Sequence, residues 1–217
     1  GAPLVPAFHR AVFGACNENR CVINIGGMAN ISYLPAKTDE TTSGFDTGPG
    51  NVLMDYYCQL ITNNSFDKNG DWARSGKLSQ ALLKTMLADP YFDKPAPKST
   101  GREYFNAGWL DRITNTANHK PEDIQHTLTE LTARTIAEAI DKNYPDTDKL
   151  IVCGGGARNG FLIERLQHNS KKAIEQTSSY KIDPDWVEAA AFAWLAHCTL
   201  NNIPANVPAV TGARAEV

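Results

Sequence analysis

Three glycine-bearing turns each follow an apolar, strand-like run, and each combines residue types suited to phosphate or nucleotide. The first is Asn24-Ile25-Gly26-Gly27-Met28-Ala29-Asn30, where glycines let backbone N–H groups approach an anion and two asparagines add neutral donors. A plain hairpin turn accounts for it at least as well. The second, Gly44-Phe45-Asp46-Thr47-Gly48-Pro49-Gly50-Asn51, reads as a strand-to-helix turn, and helix N-termini favour anions through unpaired N–H groups. Asp46 can hold Mg²⁺ there, directly or through water. Alternatively Asp46 or Thr47 merely caps the helix. The density of glycine and proline exceeds what a cap needs and favours the functional reading. The third, Val152-Cys153-Gly154-Gly155-Gly156-Ala157-Arg158-Asn159-Gly160, again runs strand, glycines, helix. Side chains at those glycines would block the flat face of a base, and Arg158 can stack on a base or pair with a phosphate. It is not G-x-G-x-x-G, and no Lys-Ser/Thr follows, so a P-loop is excluded and a dinucleotide fold is poorly supported.

Other candidates are less specific. Glu188 lies in Trp186-Val187-Glu188-Ala189-Ala190-Ala191-Phe192, the most apolar helical stretch, where a carboxylate must be paired, near the helix start or facing a cleft. It is either a helix-dipole partner or a substrate ligand. Lys98-Ser99-Thr100-Gly101-Arg102-Glu103 is a polar segment beside prolines, either substrate-facing or simply solvated. The five histidines, His9 among them, show no metal-ligand spacing, and surface or core roles are their default. No serine nucleophile elbow or Cys–His motif appears.

These turns must be positioned by an α/β framework. A short helix is expected over 7–13, strands over 20–25 and 30–34 forming a hairpin, and a short strand over 43–46. Pro49 is expected to open a helix with Val52, Leu53, Tyr56 and Leu60 on its apolar face. The stretch 62–118 reads as an insert, with helices over 78–87 and 106–113 between proline breaks. A long amphipathic helix is predicted over 121–142. Then come a strand over 149–153, a helix capped by Asn159, a strand over 173–176, and a helix from Asp183-Pro184. Hairpins followed by βα alternation imply an α/β layer fold with a mixed sheet.

Composition narrows the class. The 217 residues are 42% hydrophobic and 21% charged, an ordinary globular balance that excludes disorder, collagen-like repeats and coiled coil. With 21 Lys plus Arg against 24 Asp plus Glu, the net charge of −3 gives no basic excess for nucleic acid or anionic membrane. No apolar run approaches the ~20 residues of a membrane helix, and no signal peptide is evident. Five cysteines without a C-x-x-C pair argue against a disulfide framework or zinc site and for a reducing compartment.

Six ordered segments together resemble one family. They are Gly1-Ala2-Pro3-Leu4-Val5-Pro6-Ala7-Phe8-His9, Asn24-Ile25-Gly26-Gly27, the turn from Gly44 to Asn51, the segment from Lys98 to Glu103, the run from Cys153 to Asn159, and Glu188 to Ala196. Pro208-Ala209-Val210-Thr211-Gly212-Ala213 extends the match. The chain resembles the C-terminal portion of the anhydro-N-acetylmuramic acid kinases, within the sugar kinase, Hsp70 and actin superfamily.

That resemblance implies an actin-like ATPase (ribonuclease H-like) lobe, a mixed sheet in β-β-β-α-β-α-β-α order with a helical insert at about 62–118. Residues 1–18 would be the junction with a missing N-terminal lobe, and 19–217 the C-terminal nucleotide-binding lobe. ATP-binding residues would be Asn24, Gly26, Gly27, Asp46, Thr47, Gly48, Gly50, Asn51, Gly154, Gly155, Gly156, Arg158 and Asn159. Glu188 and Arg102 would bind the sugar, and Asp46 would meet Mg²⁺ through water. Asn24 stands where the superfamily usually has an acidic residue, which weakens the case for metal at that turn. The implied reaction opens the 1,6-anhydro ring of anhydro-N-acetylmuramic acid with water and phosphorylates O6 from ATP, in cytoplasmic peptidoglycan recycling. The family's first phosphate loop and catalytic aspartate have no counterpart here, so the chain alone is expected to be inactive. A homodimer is compatible with the resemblance. The alternative is a non-enzymatic nucleotide-binding module of the actin or Hsp70 type that acts through a protein partner.

Overall fold

The computed structural model describes residues 5–37, 40–114 and 119–211. The chain opens with α1 (Val5–Phe13), then β1 (Arg20–Ile25), β2 (Met28–Leu34) and β3 (Ser43–Pro49), then α2 (Val52–Thr62). The insert follows as α3 (Asp71–Ser75), α4 (Gln80–Leu87), α5 (Pro90–Asp93) and α6 (Ala107–Thr114). The long α7 (Pro121–Asn143) leads to β4 (Lys149–Cys153), α8 (Gly160–Ser170), β5 (Ala173–Gln176), α9 (Val187–Leu200) and α10 (Pro208–Thr211). The expected β-β-β-α-β-α-β-α order is therefore present, interrupted by a helical insert. Residues 1–4, 38–39, 115–118 and 212–217, with the ends of the first and last motif segments, lie outside the described residues.

The sheet order is β3-β2-β1-β4-β5. The β1–β2 and β2–β3 ladders are antiparallel, while β4 pairs parallel with β1 and β5 with β4. β1 is covered on both faces, which is why its sequence is apolar almost throughout. Cys21, Ile23 and Ile25 pack toward α7, and Val22 packs into a separate cluster with Phe8 and Phe13 of α1 and Val187 and Ala191 of α9. Successive strand residues point to opposite faces, so Asn24 shares the α1/α9 face with Val22. Placing Asn24 on that side decides which helices can meet it.

The α7 layer is held by apolar packing and one buried charge cluster. Leu128, Leu131, Ile136 and Ile140 of α7 are buried in the main core. Glu130 is fully buried and accepts hydrogen bonds from Arg165 Nε (2.7 Å) and Asn169 Nδ2 (3.1 Å) of α8 and from Arg134 Nη2 (3.0 Å). Burial acts to raise its pKa, but these bonds outweigh it and hold the carboxyl below its usual range.

Two helices differ from expectation. Pro49 ends β3 instead of opening a helix, and α2 begins at Val52. Its buried side is Leu53, Met54, Tyr57 and Cys58, while Tyr56 and Leu60 are exposed. The cause is tertiary, because the helix start is fastened to the β1–β2 turn and that contact sets its rotation. Likewise α9 starts at Val187, a turn after Pro184, whose carbonyl accepts the Gly154 N–H at 3.1 Å. Trp186 and Phe192 of this apolar stretch are 67% and 53% exposed.

Candidate active-site cavities

The β1–β2 turn and the start of α2 form one rigid unit. The Gly27 carbonyl accepts from the N–H groups of Gly50 (2.8 Å) and Val52 (3.1 Å), and the Gly26 carbonyl from that of Asn51 (2.8 Å). Asn51 Nδ2 also donates to the Ile25 carbonyl at 3.2 Å. A Cβ on Gly50 would collide with the Gly26 carbonyl oxygen, so this glycine serves close backbone packing. The expectation that helix N–H groups here stand open to an anion is thus modified. Three backbone donors around the helix start already have backbone acceptors.

Beside this unit a polar row crosses the sheet. Asn30 pairs with Asn24 on one side and with Asp46 on the other, and cross-strand partners share a face. The Asp46 carboxylate is buried and accepts from the Thr100 N–H at 3.0 Å. Burial raises its pKa, opposed by that hydrogen bond. The Asp46 N–H donates to the Lys98 carbonyl (3.0 Å), and the Asp46 carbonyl accepts from the Tyr91 hydroxyl (2.6 Å). Asp46 therefore anchors the segment that carries Arg102. Thr47 points the other way, its hydroxyl donating to the Ala29 carbonyl at 3.2 Å, and Gly48 lies against Phe92.

The third glycine run has the closest packing. Gly154 has φ +80°, and a Cβ there would lie 2.5 Å from Asn24 Oδ1 and 2.8 Å from the Ile25 carbonyl oxygen. Only glycine adopts this backbone at that distance without strain. At Gly155 the nearest group to such a Cβ is Asn51 Nδ2, at an ordinary contact distance of 3.7 Å, so a side chain here would meet no backbone clash.

Two cavities adjoin on either side of Gly155. One, of about 310 Å³, is lined by Asn51, Asp55, Phe66, Asp67, Asn69, Gly155, Arg158, Asn159 and Asp185. The other, of about 250 Å³, is lined chiefly by His9, Asn24, Gly26, Asn30, Gly154, Gly155, Asp185 and Glu188. Gly155 and Asp185 belong to both. The first offers an aromatic ring, a glycine backbone and several polar acceptors; the second offers amides, an imidazole and carboxylates.

Several sequence-derived candidates line these cavities, whereas Asp46, Thr47, Gly48, Gly50, Gly27, Gly156 and Arg102 line neither. Arg158 stands in the first, paired with Asp183 (3.3 Å) and Asp185 (2.6 Å), so its charge is already met while its planar face remains for stacking. Asn159 caps α8 by accepting from the Leu162 N–H at 3.0 Å. Glu188 lies at the second cavity in the first turn of α9. Arg102 is brought instead to the β1–β2 turn, where a Cβ on Gly27 would sit 3.5 Å from its Nε. That placement suits an anion at the turn better than a ligand beside Glu188.

Asp55 is a residue that the motifs do not mark. Burial pushes its carboxyl up to about 6, with nearby Arg102 opposing the shift. Its signal was an acid in the first turn of an otherwise apolar helix, four residues after Asn51. The sequence gives His9 only a surface or core role by default. Burial lowers its imidazole to about 3, so the ring is neutral. Among the described residues no group of three or more His, Cys, Asp or Glu could hold a metal by itself. A lone carboxylate such as Asp46 fits Mg²⁺ only with phosphate oxygens and water completing the shell.

The family model described as anhydro-N-acetylmuramic acid kinase matches residues 1–217. The anhydro-N-acetylmuramic acid kinase of Saccharophagus degradans is 52% identical, covering 100% of this chain and 58% of that protein. The Coxiella burnetii protein of the same name is 48% identical, covering 99% and 58%. The chain thus spans a little under three fifths of these relatives' length. Among solved structures, gluconate kinase from Lactobacillus acidophilus aligns with a TM-score of 0.58 at 11% identity, covering 92% of this chain and 42% of that one. The activator of 2-hydroxyisocaproyl-CoA dehydratase from Clostridium difficile, solved with bound ADPNP, aligns at 0.53 and 15%, covering 93% and 68%. The fold is that of the actin-like ATPase and sugar-kinase lobes. No helix among the described residues is long and apolar enough to cross a membrane. The reading as a non-enzymatic module working through a protein partner is not favoured by these matches. By sequence over its whole length and by fold, the chain belongs to the anhydro-N-acetylmuramic acid kinase family.

Proposed function

We propose that this chain is the C-terminal, nucleotide-binding lobe of an ATP-dependent sugar kinase that converts anhydro-N-acetylmuramic acid into N-acetylmuramic acid 6-phosphate. The supporting observation is the pair of cavities that share the Gly155 wall. Phosphoryl transfer is chiefly a matter of positioning and electrostatics, and it needs donor and acceptor held side by side. The nucleotide base and ribose occupy the cavity of Asn51, Asp55, Phe66 and Arg158, with the phosphates toward Gly26, Gly27 and Arg102. The sugar occupies the cavity of Asn24, Asn30 and Glu188. Water adds at C1 as the C1–O6 bond breaks, O6 takes the γ-phosphoryl group and ADP leaves. The water proton passes to a carboxylate base supplied by the other lobe. Mg²⁺, held through water by Asp46, would neutralise phosphate charge. The setting is the bacterial cytoplasm, where cell-wall sugar is recycled.

Two assays test this. The full-length protein should phosphorylate the anhydro-sugar with ATP, and a failure to do so overturns the kinase reading. The isolated 217-residue chain should bind adenine nucleotide weakly and give no turnover. Turnover by it alone overturns the assignment of the base to another lobe.

A further inference from the structure

The cavity beside Glu188 contains a histidine with no role in the reading above. His9 of α1 is 0% exposed, and its Nδ1 lies 2.9 Å from Ser32 Oγ on β2. Nε2, the other ring nitrogen, is buried and has no hydrogen-bond partner among the described residues. The ring forms part of the wall of the 250 Å³ cavity, next to Asn24 and Asn30. Buried polar atoms in native proteins normally find partners, and an orphan on a cavity wall marks a position for a ligand atom.

The hydrogen-bond arithmetic assigns the tautomer. If Nδ1 carried the proton and donated to Ser32, the buried hydroxyl hydrogen and Nε2 would both lack partners. If the Ser32 hydroxyl donates to Nδ1, the proton sits on Nε2 and a single donor remains unmatched. The second arrangement leaves fewer orphans and is the more stable. His9 therefore carries its proton on Nε2, the buried ring atom left without a partner in a residue that lines the cavity. Burial keeps the ring neutral, so this donor persists across the physiological pH range.

We propose that His9 is a sugar-binding residue whose neutral Nε2–H donates to an uncharged oxygen of the acceptor, a hydroxyl or an amide carbonyl. The inference rests on the sugar-kinase reading and adds a specificity contact to the same site. The choice of an uncharged oxygen follows from the cavity's charge. Among the described residues its lining includes Asp185 and Glu188 and no lysine or arginine, while the polar side-chain donors are Asn24, Asn30 and His9. An anionic group would meet the Glu188 carboxylate there, and the Arg158 guanidinium that pairs with Asp185 at 2.6 Å is already committed to that carboxylate. Hydroxyls and amides suit a wall of amide and imidazole donors with carboxylate acceptors opposite.

The test uses the full-length enzyme and measures KM for sugar and for ATP separately. His9→Phe should raise the sugar KM about tenfold, the loss of one well-formed hydrogen bond, with the ATP KM changed by less than about twofold. His9→Gln, which places an amide N–H near the position of Nε2, should restore the sugar KM to within about threefold of wild type. An unchanged sugar KM in His9→Phe overturns the proposal, as does a rescue no better with Gln than with Phe. Should His9→Phe fail to fold, Ser32→Ala replaces it. Losing the hydroxyl that donates to Nδ1 should raise the sugar KM and leave the ATP KM in place, and equal effects on both overturn the proposal. Absence of sugar turnover in the wild-type enzyme is a different result, and it removes the kinase reading itself.

Discussion

The carboxylate of Asp46 accepts the backbone N–H of Thr100 at 3.0 Å, across a separation of 54 residues. One oxygen thus fastens the segment leading to Arg102, which leaves the other to meet water or metal. Asp46→Asn keeps an acceptor for Thr100 and removes the charge. It should alter stability by less than about 1 kcal/mol and lower nucleotide affinity about tenfold in Mg²⁺ but not in EDTA, read by calorimetric titration. Equal affinities for variant and wild type in Mg²⁺ would remove Asp46 from the metal's surroundings.

Gly154 combines φ +80° with the Asn24 amide 2.5 Å from where a Cβ would stand. Gly154→Ala should cost about 1–3 kcal/mol in urea unfolding and weaken nucleotide binding, because the wall common to both cavities has to shift. Gly155→Ala, whose Cβ would meet only Asn51 Nδ2 at an ordinary contact distance of 3.7 Å, should fold normally and fail mainly in binding.

His9 makes acid stability measurable. The unfolded chain takes up the imidazole proton near 6.5, whereas the folded chain resists until about 3. Between those values the unfolded state binds more protons, so stability is complete above 6.5 and declines as pH falls. The loss is about 1.4 kcal/mol per pH unit inside that window. Asp185 and Glu188 are the charged groups on the same cavity. Unfolding free energies of wild type and His9→Gln at pH 7, 6 and 5 should diverge, with the variant lacking this slope.

Asp55 acts in the opposite sense. Its folded value of about 6 exceeds the ordinary 3.8, so the folded state holds the proton more tightly. Its contribution is favourable at low pH and is lost as pH rises from about 4 to 6. Asp55→Asn should melt higher than wild type at pH 7 and show no advantage at pH 4. A lower melting temperature at pH 7 would mean that Arg102 compensates the ionised carboxylate fully.

Glu130 is fully buried among Arg134, Arg165 and Asn169. Removing its charge leaves two guanidinium groups short of their partner, and Glu130→Gln should lose about 3 kcal/mol by denaturant titration. Glu130 sits between α7 and α8 and lines neither cavity, which predicts that KM values at permissive temperature stay near wild type.

Much of the fold was legible residue by residue. The apolar run at 20–25, the Gly26-Gly27 turn, the Pro121 start of α7 with Glu122 and Asp123 in its first turn, and Asn159 as a cap all acted through neighbours within a few positions. Helix faces were harder. Tyr56 and Leu60 recur at helical spacing yet face out, because the bonds from Gly50 and Val52 to the Gly27 carbonyl determine how α2 is turned. The short helices α3 and α5 left no sequence period to read, being only 5 and 4 residues long.

By itself the sequence determined the order of elements, the three glycine turns and the family, since each depends on local pattern or on ordered motifs along the chain. Tertiary structure alone decided which groups share a cavity. It turned Asn24 toward α1 and α9, brought His9 beside it, sent Thr47 to the opposite face and carried Arg102 to Gly27. The physical reason is that strand alternation and helix capping are short-range effects, whereas a cavity is the space left where distant elements pack. No interval along the chain encodes the 2.9 Å between His9 and Ser32, 23 residues apart, because the packing of α1 on the sheet creates it.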